Sequence, residues 1–364
     1  MEEALSAPAR IAEPGEGISY EELALAARNH AMPLEALRYD LTPPGLHYLL
    51  IHYDIPDLDP AGYRLELGGT VRRPLRLDLA GLRDRPRVTH RVTLECAGNG
   101  RALLAPRPVS QPWLTEAVGT AEWTGTPLAP LLAEAGIPEN AVEVVFTGAD
   151  HGIERGVEQD YQRSLPLAEA MREEVLLAYE MNGAPLPPQH GAPLRLVVPG
   201  WYGMAHVKWL RAITVVNTPF TGFQNAVAYQ LRQQPDDPGE PVTRMEPRAL
   251  VRPPGYPDFM SRARGLAAGR CRLDGRAWSG FGPVTTVEVT TDGGTSWAAA
   301  TLAAGDGPPW AWRQWWYDWD AVPGRHTLSA RATDATGRTQ PLNPPWNRGG
   351  FANNLVQRVE VVVT

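Results

Sequence analysis

Cysteine is almost missing from this chain: 364 residues carry two, Cys96 and Cys271. Two thiols cannot build a disulfide framework, and without a Cys-x-x-Cys pair they point to neither a zinc site nor an iron–sulfur cluster. Excess positive charge is missing too. There are 34 Lys and Arg against 41 Asp and Glu, a formal net charge of −7, the wrong sign for a nucleic-acid binder. No apolar run approaches the roughly 18 residues that a bilayer span needs, so no membrane partner is expected. No Gly-x-Gly-x-x-Gly or P-loop is present, so a dinucleotide-binding or kinase reading lacks its fingerprint. The opening stretch MEEALSAPARIAEPGEG has no basic region, apolar stretch or twin arginine, and the expected location is the cytoplasm.

What is present has the composition of a globular protein, and the length allows two cores. ISYEELALAARNH opens with Ser19 and Glu22 at capping-box spacing, which predicts a helix. YRLELGG, RVTLECAGN, VEVVFTGAD and PLRLVVPG are β-rich runs closed by Gly or Pro. Between them, TPLAPLLAEAG and SLPLAEAMREE read as helices, the latter with Ser164 as its cap. After about Arg232 the texture changes. QQPDDPGEP and RPPGYPD are turn-forming, and the remainder is nearly free of helix. VTTVEVTTDGGTSW reads as strand, Asp-Gly turn, strand; HTLSARATDATGR alternates Leu328, Ala330 and Ala332 inward, and VQRVEVVVT alternates Val359, Val361 and Val363. The reading is a mixed α+β domain over 1–232 and an immunoglobulin-like sandwich over 233–364.

VTLECAGNGR, Val92–Arg101, ends an apolar run in Cys96 and follows it with a glycine turn. An isolated cysteine is ordinarily a small buried hydrophobe. Here Gly98 and Gly100 permit unusual torsions and close approach of a bulky group, and the turn amides can cradle an anion. Arg101 puts a permanent cation near the sulfur, which favours thiolate. A thiolate suits a soft, redox-active metal, but one thiolate cannot hold a metal tightly, so most of the coordination would have to come from an organic cofactor. Core thiol and metal ligand both stand as readings at this point.

His190–Leu210, HGAPLRLVVPGWYGMAHVKWL, gathers His190, Arg195, His206 and Lys208 around Gly200 and Gly203. That is how a pocket for a phosphate and a polar heterocycle is built, although each residue alone reads as a solvated charge. In FTGADHGIE, Asp150 ends an apolar strand, where it caps a turn or accepts hydrogen bonds from a ligand's ring nitrogens. WAWRQWWYDW packs five tryptophans between Trp310 and Trp319, a mark of cores and interfaces rather than redox chemistry. Cys271 reads as a core residue.

Together these stretches resemble the sulfite oxidase family of molybdenum-cofactor enzymes. Cys-Ala-Gly-Asn with arginine five places after the cysteine, GAD for the family's Gly-x-Asp, LAYEMNGAPLPPQHGAPLRLVVPG, HVKWL, and AWSG before VEVTTDGGTSW follow the family order from about Leu41 onward. The resemblance implies a catalytic domain holding molybdenum-molybdopterin and an immunoglobulin-like domain that makes a homodimer. It implies that Cys96 is the thiolate ligand of molybdenum, with Ala97, Gly98 and Asn99 of its turn at the cofactor. Tyr48, His52, Asp150, His190, Arg195, His206, Val207 and Lys208 match cofactor-contacting positions. Arg101 matches an arginine of the substrate pocket, Tyr229 the active-site tyrosine, and Trp113 a residue lining that pocket.

The implied activity is oxidation of sulfite to sulfate by oxygen-atom transfer. Electrons would pass to an external acceptor, because no Cys-x-x-Cys-His for haem occurs in the sequence. Two positions depart from the family: Leu50 and Pro283 stand where it has arginines that bind the oxyanion. A hydrogen bond to a charged group is worth about 1.5–3 kcal/mol, so losing two without replacement costs roughly 3–6 kcal/mol of binding. Arg28 and Arg348 are candidates to swing in. A second reading is the same cofactor and fold acting on a less anionic substrate, as an S-oxide or N-oxide reductase. A third, of another class, is a β-sandwich assembly protein without turnover.

Overall fold

The computed structural model describes residues 10–305 and 309–364, so residues 1–9, half of the stretch read for an export signal, lie outside the described part. Helix Tyr20–Arg28 starts with a capping box: the Ser19 hydroxyl accepts from the Glu22 amide at 3.2 Å, and the Glu22 carboxylate accepts from the Ser19 amide at 2.9 Å. Glu22 is buried in an ion pair with Arg107, which ties this helix to the chain just beyond Arg101. No helix among the described residues is long and apolar enough to cross a membrane.

Two sheets build the N-terminal half. In one, Leu210–Val216 lies between Leu65–Gly69, to which it is parallel, and Glu143–Glu154, to which it is antiparallel; Leu75–Leu77 and Val157–Pro166 complete the edges. In the other, Val118–Pro127 pairs with Val88–Glu95 and Leu176–Met181, and the short Arg195–Val197 joins Leu176–Met181. Helix Leu128–Ala135 buries Leu128, Leu131, Leu132 and Ala135, the stripe that a 3.6-residue period predicts. The helix read over SLPLAEAMREE shrinks to Leu167–Ala170, and Ser164 is not its cap. Ser164 belongs to strand Val157–Pro166, whose pairing with Glu143–Glu154 continues to Pro166, and its hydroxyl accepts from the Asn225 side chain. Ladder pairing with a buried neighbour outweighs a local capping preference.

From Arg248 the described residues form strands, turns and loops without helix. Arg248–Arg252, Gly269–Trp278, Arg313–Ala321 and Thr301–Leu302 form one sheet of a sandwich. Arg264–Leu266, Val359–Val363, Gly324–Asp334 and Val284–Thr290 are central to the other. Leu328, Ala330, Ala332, Val359, Val361 and Val363 point inward as the alternation predicts, against Trp315 and Trp319. Cys271 is half-buried at the edge of this core. The division read at 232/233 falls inside a small hairpin, Gln230–Leu231 on Glu240–Pro241, that lies between the two halves.

The halves share a core. Trp278, Trp312 and Phe351 pack with the N-terminal residues rather than within the sandwich, and Trp312 Nε1 donates to the Asp40 carbonyl at 2.9 Å. The segment before the last strand folds back on the Cys96 turn: the Ala352 amide donates to the Ala97 carbonyl at 2.9 Å.

Candidate active site

Strand Val88–Glu95 becomes fully buried over its last four residues and delivers Cys96 into the interior. The Cys96 amide donates to the Ala117 carbonyl at 2.9 Å, the Asn99 amide returns to the Cys96 carbonyl at 3.0 Å, and the Arg101 amide bonds to Gly98 at 3.1 Å. The two glycines of this turn serve different ends. Gly100 has φ +91°, a torsion closed to most residues. Gly98 has no such torsion; it is small because the Arg101 guanidinium lies against it, within 2.6 Å of where a Cβ would be.

Behind the turn sits a buried polar brace. Asn99 donates to Glu95 Oε1 at 2.9 Å and to the Thr115 carbonyl at 3.1 Å, and accepts from the Ala117 amide at 3.1 Å. Glu95 also accepts from Trp278 Nε1 at 2.8 Å and pairs with Arg248 at 2.8 Å, both charged side chains being 1% exposed. Asn99 therefore spends its amide on holding the turn.

Cys96 and Ala97 open on a cavity whose wall includes Tyr48, Leu50, His52, Asp150, His190, Arg195, His206, Lys208 and Tyr229. These come from the loop before His52, the middle of strand Glu143–Glu154, the His190–Lys208 segment and the residue after the π-helical turn Gln224–Ala228; Asp150 does not end its strand as read, because the pairing resumes at His151. Asp150 turns inward at an irregularity in the strand pairing between Thr147 and His151. Val207 is core, its carbonyl accepting from the Leu196 amide at 2.8 Å. Trp113 is buried among the residues around Cys96.

Cations dominate the site, Arg101 and Arg195 buried and Lys208 half-buried. Arg195 donates to the His190 carbonyl at 2.9 Å and the His206 carbonyl at 3.2 Å, and lies 4.6 Å from the Trp123 ring centre. Lys208 donates to the Leu50 carbonyl at 2.8 Å and lies 4.2 Å over Trp209. Arg101 donates to the Gly349 carbonyl at 3.0 Å and the Gln111 carbonyl at 3.3 Å, and lies 5.0 Å over Phe351; it stands behind the cavity lining rather than in it, and its charge reaches Cys96, His52 and Tyr229. Their hydrogen-bond partners are carbonyls, with ring faces beside them; the Asp150 carboxylate acts on Lys208 only through its charge. Burial and these cations push His52 and His206 down to about 3 and His190 to about 2, so all three rings are neutral. The His206 ring accepts from the Val198 amide at 3.1 Å and meets the Trp201 carbonyl at 3.0 Å; His52 Nε2 is bonded to the Tyr229 hydroxyl at 2.8 Å. Burial pushes the Cys96 thiol up, and the Arg101 charge, the Gly98 amide and the Trp113 indole only partly offset it. The thiolate expected from Arg101 thus needs a metal to displace the proton.

His47, Tyr161 and Met204 also line the cavity and were not among the residues read from the sequence. His47, five places before His52, and Tyr161, inward on its strand with Arg163 and Leu165, carried a legible signal. Leu50 is in the wall, whereas Pro283 is exposed ahead of strand Val284–Thr290. Arg28 is held by the Tyr53 carbonyl and Asp54, and the Arg348 amide donates to the Arg232 carbonyl at 2.7 Å.

Three buried polar atoms of the wall lack partners: Asp150 Oδ1, Arg195 Nε and His47 Nε2. Each unmet group costs about 1–3 kcal/mol. An acceptor, a cationic donor and an imidazole around one cavity suit a polar, anionic organic molecule. Among the described residues no cluster of three or more His, Cys, Asp or Glu stands ready to hold a metal. The site fits a protein whose single buried thiol would share a metal with such a molecule.

Comparison with known proteins gives this class its family. A model described as an oxidoreductase molybdopterin binding domain matches residues 52–224, and one described as a Mo-co oxidoreductase dimerisation domain matches 250–364. Human mitochondrial sulfite oxidase is 34% identical over 89% of this chain and 62% of its own length. Sulfite oxidase of Gallus gallus is 34% identical over 87% of this chain and 72% of its own. A nitrate reductase [NADH] of Hordeum vulgare is 30% identical over 89% of this chain and 38% of its own. The crystal structure of the sulfane dehydrogenase SoxCD from Paracoccus pantotrophus superposes with a TM-score of 0.79 at 28% identity, covering 96% of this chain and 87% of that one. The chain belongs to the sulfite oxidase family of molybdenum-cofactor oxidoreductases, and it spans about three-fifths of the length of its human relative. The residues fit the molybdenum-molybdopterin cofactor: a buried thiol for the metal, Arg195 and Lys208 for phosphate, Asp150 for ring N–H groups.

Proposed function

We propose that the chain is a sulfite dehydrogenase, a homodimer that oxidises sulfite to sulfate and passes the electrons to a separate acceptor. The observation that carries this reading is Arg101: a buried guanidinium with no carboxylate partner, on the same turn as the thiol and beside the Tyr229–His52 pair. A neutral substrate would not repay burying that charge. The sulfite oxidases among the relatives and the dimerisation-domain match support the substrate and the dimer.

When bound, the cofactor supplies oxygen-atom transfer and takes up two electrons. Cys96 would hold its metal, and Asp150, Arg195 and Lys208 would hold the pterin and its phosphate. The Gly349 and Gln111 carbonyls fix two of the Arg101 donors, so its charge would act on negative oxygen without reorganisation. Sulfite and water become sulfate, two protons and two electrons, so protons must leave. Tyr229 Oη and His52 Nε2 can pass one outward, and burial keeps the phenol protonated and the imidazole neutral between turnovers.

Cofactor-loaded protein should reduce an artificial one-electron acceptor with saturation in sulfite. Cys96→Ser should abolish this while light scattering shows an unchanged dimer. Reduction of a neutral sulfoxide with no response to sulfite would overturn the substrate, and full turnover by Cys96→Ser would overturn the site.

A further inference from the structure

We propose that Arg163 is the second cation of the substrate site, acting on a bound oxyanion through Tyr229. This rests on the anionic substrate proposed above. Arg163 points inward from strand Val157–Pro166, between buried Tyr161 and Leu165, and is 3% exposed. Its Nη1 donates to the Gln224 carbonyl, while Nε is buried with no partner. The Cζ lies 5.4 Å from the centre of the Tyr229 ring. Phe351 packs on the same ring at 5.0 Å, and Arg101 lies 5.0 Å over Phe351. Arg101, Phe351, Tyr229 and Arg163 form one chain of contacts, with a guanidinium at each end.

A carboxylate would be the ordinary partner of a buried arginine, and burying the charge without one costs several kcal/mol. Arg163 has instead a carbonyl and the face of a phenol whose hydroxyl, at 2.8 Å from His52 Nε2, opens on the cavity beside Cys96. A cation over that ring draws electron density from it and makes the hydroxyl a stronger donor to negative oxygen. The Tyr229 amide shares the Gln224 carbonyl at 3.4 Å, so the same arginine also fixes the turn that presents the phenol. Arg163 returns to the site, from beneath Tyr229, a charge that Leu50 and Pro283 do not supply. It is a positioning residue, since it reaches the substrate through another side chain.

The test separates charge from shape. Sulfate is titrated calorimetrically into the cofactor-loaded protein, a readout that needs no turnover, and sulfite kinetics are measured alongside. Arg163→Met should weaken sulfate binding and raise the sulfite KM by about tenfold, with kcat little changed, and Arg163→Lys should restore most of the loss. In a Tyr229→Phe background the effect of Arg163→Met should nearly vanish. Equal loss in Lys and Met variants would show a purely structural role and overturn the proposal, as would additive effects with Tyr229→Phe or unchanged sulfate binding. If Arg163→Met does not fold, Arg163→Gln keeps a donor for the Gln224 carbonyl: a comparable loss supports the proposal and no loss overturns it. If sulfite is not oxidised but sulfate binding still depends on Arg163, the substrate reading falls and this one stands.

Discussion

Gly98 and Arg101 occupy each other's space: a Cβ on Gly98 would stand 2.5 Å from Arg101 Nη1 and 2.6 Å from its Cζ. The guanidinium is held in place by the absence of a side chain three residues earlier. Gly98→Ala should push Arg101 off the turn without touching the sulfur. The expected result is a sulfite KM raised by about 10- to 150-fold, the worth of a charge-assisted hydrogen bond. Molybdenum per protomer, measured by metal analysis, should stay at the wild-type level; a variant that loses the metal as well would show that Gly98 serves the thiol instead.

Glu95 and Arg248 join the two halves directly behind the thiol, each 1% exposed. Arg248→Met leaves a carboxylate buried with two neutral donors and no countercharge, which should cost about 3–5 kcal/mol of stability. Adding Glu95→Gln removes the stranded charge and should recover much of that loss. Denaturant unfolding of the wild type, the single variant and the double variant measures both numbers. A double variant no more stable than the single one would contradict the account.

Three buried histidines and the half-buried His52 set a pH dependence for the cofactor-free protein. Burial holds His47 at about 4, His52 and His206 at about 3 and His190 at about 2, against about 6.5 unfolded. Below pH 6.5 the unfolded chain binds protons that the folded chain refuses, so stability is full above 6.5 and falls as the pH drops. At pH 5 each histidine should subtract about 2 kcal/mol. Asp150, Glu116 and Glu246, whose carboxyls burial pushes up, work the other way and offset part of this. Unfolding midpoints at pH 7 and pH 5 check the slope; equal midpoints would sink it.

Burial and the nearby Arg195 charge push the Lys208 ammonium down, and a bound phosphate would push it back up. Cofactor binding then takes up a proton on the alkaline side, so affinity should be highest at low pH and fall as pH rises past the depressed value. Reconstitution of the apoprotein between pH 6 and 9, read as cofactor retained after gel filtration, tests this. Lys208→Met should flatten the profile and lower it throughout.

The sequence was informative wherever function depends on order along the chain. Helix Tyr20–Arg28, the alternation Val359–Val361–Val363 and the grouping of His190, Arg195, His206 and Lys208 all follow from spacing, because hydrogen-bond periodicity and turn chemistry act over a few residues. Ser164 misled because its hydroxyl found Asn225, 61 residues away. Arg163 went unread because an arginine ordinarily reads as exposed, although Tyr161 and Leu165, two places to either side, put it on the inward face.

By itself, then, the order of residues determined the two-part architecture, the thiol on a glycine turn and the donors suited to an anionic cofactor. Only the tertiary structure decided which charges go without partners. Arg101, Arg163 and Arg195 are free to serve as binding groups because the folded chain brings carbonyls and rings to them instead of carboxylates. Electrostatic pairing depends on distance through space and on the exclusion of water, and neither is written along the chain.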